Sequence, residues 1–181
     1  MNRTAQPTVY NPVARALHWS IFLLIAAEFG IAWLMPDVRR DTQPVGLIAW
    51  HIGVGTSILG LMVLRLLWRA GTGAPELLPG PTWQQHLAKL VHLVLYAGFL
   101  LLPVLGWINA SSRGWTVHLA GLLGLPALAP TGAGWAHEMG DVHQLVAYVL
   151  LGAIGLHVAG ALFHAVIERD DTLRRMWPRR S

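Results

Sequence analysis

The sequence predicts an all-α fold, an integral membrane four-helix bundle with both termini in the cytoplasm. Three observations carry this expectation. The 181 residues are 54% hydrophobic and only 12% charged, with a mean hydropathy of +0.49. A soluble domain holds about twice that charged fraction. The apolar residues gather into four runs near the roughly 20 residues needed to cross a bilayer. The thirteen basic residues are unevenly divided between the two sides that four spans define.

The first span is predicted over 12–35. Asn11 is placed to cap it, Pro12 suits the first helical turn, and Pro36 and Asp37 end it. It is too long for a cleaved signal peptide and carries His18 and Glu28 inside it. The second span follows Pro44 and covers 45–68. The third covers 87–108, with Pro103 as an expected kink. The fourth covers 142–167, with His137 as an alternative start. Trp19, Trp33, Trp50, Trp68, Trp107 and Trp135 fall near the span ends, as an interfacial aromatic belt requires. No repeat and no soluble domain stand out, so residues 1–181 read as one transmembrane unit. The connection from about Asn109 to Asp141 is long and rich in Gly and Pro, and a short surface helix is expected near Trp115 to Leu125.

Orientation follows from the basic residues. Arg3, Arg15, Arg65, Arg69, Lys89, Arg169, Arg174, Arg175, Arg179 and Arg180 share the side of the termini, against Arg39, Arg40 and Arg113 on the other. The bias toward basic cytoplasmic segments puts the termini inside the cell. The basic tail can also rest on anionic lipid headgroups, so the net charge of +4 requires no nucleic-acid partner. The chain has no Cys, which excludes disulfides, thiolate zinc sites, iron–sulfur clusters and covalent haem attachment.

Four histidines, His18, His51, His143 and His157, lie inside these apolar runs. Ionisable groups at that depth are rare and face a bundle interior for a functional reason. His18 falls in the inner half of the first span, while His51 and His143 fall near the outer ends of the second and fourth. His157 is fourteen residues beyond His143, about 21 Å deeper and on nearly the same helix face. The histidines therefore pair by depth, His51 with His143 outside and His18 with His157 inside. This suits two haem b groups held by bis-histidine ligation, one near each membrane surface. Such iron has no open position for oxygen, which favours electron transfer. Gly53, Gly55 and Gly60 near His51, and Gly152, Gly155 and Gly160 around His157, leave room for a flat macrocycle or simply for close helix packing.

Other groups leave alternatives open. A hydrogen-bonding or proton-relay role fits any single membrane histidine. A non-haem zinc or nickel transporter would want carboxylates beside the imidazoles. Glu28, Glu138 and Asp141 are the only candidates and do not converge on both depths. His164, seven residues past His157, could replace it as ligand or bond a quinone carbonyl or a haem propionate, and His92 could serve similarly. His86, His118 and His137 read as interfacial. Arg65, fourteen residues after His51, lies at the depth of the inner pair. It meets an anion there, a haem propionate or a quinone oxygen, or it snorkels to the headgroups. Glu28 is expected to be protonated or paired with an arginine of the outer loop.

At this point the chain resembles the bacterial di-haem cytochrome b561 family. The resemblance rests on RALHW around His18, AWHIGVGTSILGLMVLRLLWR from Ala49 to Arg69, HLVLYAGFLLLPVLGW in the third span, VHQLVAYVLLGAIGLHVAGALFH in the fourth and DDTLRRMWP in the tail. It covers nearly the whole chain and implies a cytochrome of the inner membrane with His18, His51, His143 and His157 as haem ligands. It further implies a superoxide:ubiquinone oxidoreductase, taking electrons from superoxide, or another one-electron donor, at the outer face and reducing ubiquinone near the inner haem. Arg39, Arg40 and Arg113 would attract the anion, and His164 and Arg65 would lie beside the quinone. Related cytochromes instead anchor a dehydrogenase or hydrogenase, in which case the donor is a redox partner protein.

Overall fold

A computed structural model describes residues 9–39, 41–76 and 78–177. Arg3, Arg40, Arg179 and Arg180, which enter the charge count, lie outside the described residues. Four long helices form in chain order: α1 over Pro12–Leu34, α2 over Leu47–Thr72, α3 over Thr82–Ser112 and α4 over Gly134–Phe163. A five-residue π-helical turn, His164–Glu168, continues α4. All four are long and apolar enough to cross a membrane.

Local chemistry sets the boundaries. The Asn11 side chain accepts the Ala14 amide at 2.9 Å, and Pro12 occupies the first turn of α1. Gly46 and Gly73 bracket α2 at φ of 58° and 72°, a region costly for other residues. The helices exceed the apolar runs: α3 begins at Thr82 rather than near Leu87, and α4 at Gly134 rather than near Val142. A helix of 31 residues is about 46 Å long, well beyond a hydrocarbon core of roughly 30 Å. Hydropathy marks only the membrane-embedded part.

Between α3 and α4 the structure corrects one expectation. No surface helix forms near Trp115 to Leu125. Instead β1, His118–Leu119, pairs antiparallel with β2, Leu123–Gly124. Left-handed backbone at Gly114, Ala120 and Gly121 turns the chain too sharply for a helix. Thr56 anchors this hairpin to α2. Its hydroxyl reaches the His118 carbonyl at 2.9 Å and accepts the Ala120 amide at 3.3 Å.

Packing runs α1 on α2, α2 on α3 and α3 on α4. Among the described residues no Cα–Cα approach within 8 Å joins α1 to α4 or α2 to α4. A small core of Ile21, Ile58, Met62, Phe99 and Leu150 closes the middle of the bundle. At Gly98 the absent side chain is a packing requirement, because a Cβ would run into the fully buried Leu150. Many other large apolar side chains, such as Leu23, Trp33, Leu67, Leu93 and Leu145, face outward, the arrangement of a chain whose solvent is lipid. The tail folds back over one end. Arg15 donates to the Trp177 carbonyl at 3.0 Å and Trp19 to that of Met176 at 2.9 Å.

Candidate functional site

Histidines bridge the wider gaps, those between helices whose backbones stay more than 8 Å apart. The His51 ring on α2 and the His143 ring on α4 lie 5.9 Å apart between centroids, inclined at 73°. At the other end the His18 ring on α1 and the His157 ring on α4 lie 6.2 Å apart at 75°. Two imidazoles on opposite faces of one metal, with bonds of about 2 Å, have centroids roughly 6 Å apart. Directly hydrogen-bonded rings would sit closer. α4 thus offers one ring to each end, fourteen residues or about 21 Å apart along its axis.

The ring surroundings differ. His143 Nδ1 lies 2.9 Å from the Leu102 carbonyl. A carbonyl only accepts, so Nδ1 carries the proton and Nε2 keeps its lone pair for a metal. Gly106 makes this placement possible, since a Cβ there would sit 3.2 Å from the His143 ring. His51 Nδ1 lies 2.9 Å from Glu28 Oε1, although the ring N–H does not point squarely at the oxygen. Among the described residues Glu28 therefore meets a histidine rather than an arginine of the 35–46 connection. Arg113 is engaged elsewhere, donating to Asn109 Oδ1 at 3.1 Å and to the Arg39 carbonyl at 3.0 Å.

At the end nearer the termini a third ring joins the pair. His92 on α3 lies 5.1 Å from His157, at 82°, and donates from Nδ1 to the Ala88 carbonyl at 2.6 Å. Arg65 donates to the Ala14 carbonyl at 2.9 Å, and its charge acts on both His18 and His157. It lines a narrow cleft with Tyr10, Trp68 and Tyr96. His164 is held apart, with Nδ1 2.7 Å from Asp170 Oδ2. Burial pushes the Asp170 carboxyl up, but hydrogen bonds from Thr172 and His164 outweigh it and leave the group below its ordinary value.

His86, His118 and His137 are exposed, and none joins either pair. Gly53, Gly152, Gly155 and Gly160 face open space, whereas Gly55 abuts Glu28. A larger cleft of about 340 Å³ lies between α2 and the hairpin, lined by Ala49, Trp50, Gly53, Ser57, Ala120 and Gly121, with neither outer histidine in its wall. Among the described residues, no cluster of three or more His, Asp or Glu groups is arranged to hold a bare metal ion. Sequence reasoning did not single out Gly106, the Leu102 carbonyl or the Glu28–His51 contact. A glycine one helical turn from Pro103 was the only signal for the first.

Comparison with known proteins gives the chain's family. The profile described as prokaryotic cytochrome b561 matches residues 9–179. The chain belongs to the prokaryotic cytochrome b561 family. It is 30% identical to cytochrome b561 homolog 1 of Escherichia coli (strain K12), over 99% of each chain. It is 31% identical to the probable superoxide oxidase CybB of Yersinia pestis, over 94% of this chain and 97% of that one. A more distant relative, at 27% identity over 92% of this chain and 94% of that one, is cytochrome b562 of Cereibacter sphaeroides. This family member is therefore a multi-pass electron-transfer protein of the bacterial inner membrane, and its family implies haem b.

Proposed function

We propose that the chain holds two haem b groups, one between His51 and His143 and one between His18 and His157, and carries electrons from superoxide at the outer face to ubiquinone at the inner face. The observation that carries this reading is the spacing of the two ring pairs, 5.9 and 6.2 Å, across helix pairs whose Cα atoms nowhere approach within 8 Å among the described residues. That spacing fits a bis-imidazole metal centre, and the helix gaps fit a flat macrocycle. Bound haem supplies a one-electron iron couple at each end. The protein's own residues do the rest. His143 is held by Leu102 with Nε2 free. The core of Ile21, Ile58, Met62, Phe99 and Leu150 keeps the space between the ends apolar.

In this reading residues 1–181 act as one transmembrane cytochrome domain with both termini in the cytoplasm, as the basic residues favour. Overall, two superoxide anions each lose one electron to give dioxygen, and one ubiquinone takes both electrons with two protons. Arg39 and Arg113 present cationic groups on the outer side. Arg65 supplies a charge beside the inner rings for a propionate or quinone oxygen, and His164 with Asp170 forms a proton-bearing pair at the inner surface. The name of the Yersinia pestis relative supports superoxide as donor.

The test is haem quantitation on the purified chain and on four His→Ala variants. Two haems per chain are expected. His51→Ala and His143→Ala should lose one and the same haem, and His18→Ala and His157→Ala the other. Different losses from the two outer variants would refute the pairing. Quinone reduction by superoxide with the purified chain alone tests the activity. A requirement for a dehydrogenase or hydrogenase subunit would make the chain its membrane anchor.

A further inference from the structure

Glu28 sits among Leu24, Ile25, Ala27 and Phe29 on a membrane-spanning helix, where a carboxylate needs compensation. Among the described residues no arginine supplies it, and Arg113 is bonded to Asn109 and Arg39. Instead Oε1 approaches His51 Nδ1 at 2.9 Å, while Oε2 is buried with no partner among the described residues. The close approach of α2 is itself provided for. A Cβ at Gly55, one turn beyond His51, would lie 3.2 Å from Oε1. Glycine at this position thus admits the carboxylate between the two helices. His143, the opposite ring of the same pair, is backed only by the neutral Leu102 carbonyl.

We propose that Glu28 is a positioning residue for the outer redox centre, directing the His51 Nδ1 proton toward its carboxylate and biasing that centre toward its oxidised form. This rests on the ligation by His51 proposed above. A proton held at Nδ1 leaves Nε2 for iron. The carboxylate makes the imidazole a stronger donor, and its charge offsets the single net positive charge of oxidised bis-imidazole haem. Reduction removes that positive charge, so Glu28 lowers the reduction potential of the outer haem and leaves the inner one unaffected. The unpartnered Oε2 is explained in the same way, as half of an anion facing a cationic centre.

The experiment is a spectroscopic potentiometric titration of the purified holoprotein, with the outer haem identified as the one missing from His143→Ala. Glu28→Gln keeps the shape and removes the charge. It should make the outer haem about tenfold or more easier to reduce, a rise of about 59 mV for one electron, with the inner haem unchanged. Gly55→Ala, which displaces the carboxylate without altering any charge, should shift the outer haem in the same direction by less, and it carries the test if Glu28→Gln does not assemble. An unshifted outer potential in both variants overturns the inference, as does an equal shift of both haems. Haem content separates this from failure of the underlying reading. Two haems in the parent with no Glu28 effect sinks the inference alone. A parent lacking any haem sensitive to His51→Ala sinks the ligation and the inference together.

Discussion

His51 and His143 each have an oxygen behind the ring, the Glu28 carboxylate for one and the Leu102 carbonyl for the other. His18 and His157 sit instead beside a third imidazole, His92, and within reach of the Arg65 charge. The two ends offer the same pair of imidazoles at nearly the same ring separation, so the difference lies in what surrounds them. An anionic or electron-rich surrounding favours the oxidised state of a metal centre, and a cationic one the reduced state. Under the proposed function electrons therefore run downhill from the outer end to the inner, the direction in which superoxide would feed quinone.

The largest expected effect tests whether the two ends share one scaffold. Gly98→Ala forces a methyl into the fully buried Leu150 at mid-bundle. Overpacking of this kind costs about 1–3 kcal/mol. Thermal unfolding in detergent, followed by Trp fluorescence and haem absorbance, should show both ends failing together at a lower temperature. Loss of one end alone would mean that the core does not couple them. Next comes Gly106→Ala, whose methyl would press on the His143 ring and displace it from Leu102. Loss of an outer-sphere partner weakens metal affinity by about 10–100-fold. Haem titration should show the outer site weakened and the inner one intact, and an inner loss would break the distinction between them.

Arg65→Met sharpens the contrast from the other side. Removing a cation beside His18 and His157 should lower the inner potential, on the order of tenfold in the reduction equilibrium, and leave the outer one in place. The direction is opposite to that expected for Glu28→Gln. A rise, or an equal change at both ends, would show that Arg65 acts through packing at Ala14 rather than through its charge.

The two ends were unequally legible in sequence. The helices were readable because hydropathy over some 20 residues is a strong signal, and the depth of each histidine followed from counting along antiparallel spans. What depth cannot give is azimuth. His92 stands at the level of the inner pair, but nothing in the order of residues says that α3 turns it to within 5.1 Å of His157. Glu28 reads as an isolated acid on α1, and its partner appears only when Gly55 brings α2 alongside. The segment from Trp115 to Leu125, for which the sequence suggests a short surface helix, forms the hairpin instead. Its left-handed residues Ala120 and Gly121 lie where the chain is anchored by Thr56, 64 residues before Ala120.

The smallest effect concerns the tail that folds over the His18 end of the bundle. Asp170 accepts from the Thr172 amide at 2.8 Å and from His164 at 2.7 Å, and its pKa is lowered in the folded state. A lowered carboxyl contributes stability above its unfolded value, near 3.9, and loses it as pH falls through the lower folded value. The tail should therefore stay docked from neutrality down to about pH 4 and loosen only below that. Asp170→Asn should reproduce the loosened state at neutral pH. The group is part-exposed, so the effect is about 1 kcal/mol or less. Trp177 packs edge-on against Trp19 with centroids 5.6 Å apart, which makes its fluorescence the readout, with trypsin cleavage after Arg174 as a second. The outer hairpin is tied to α2 through the neutral Thr56 hydroxyl and should not respond to the substitution. Equal loosening of tail and hairpin in Asp170→Asn would mean that the inner surface is not separately held, and that the two ends differ only in their buried rings.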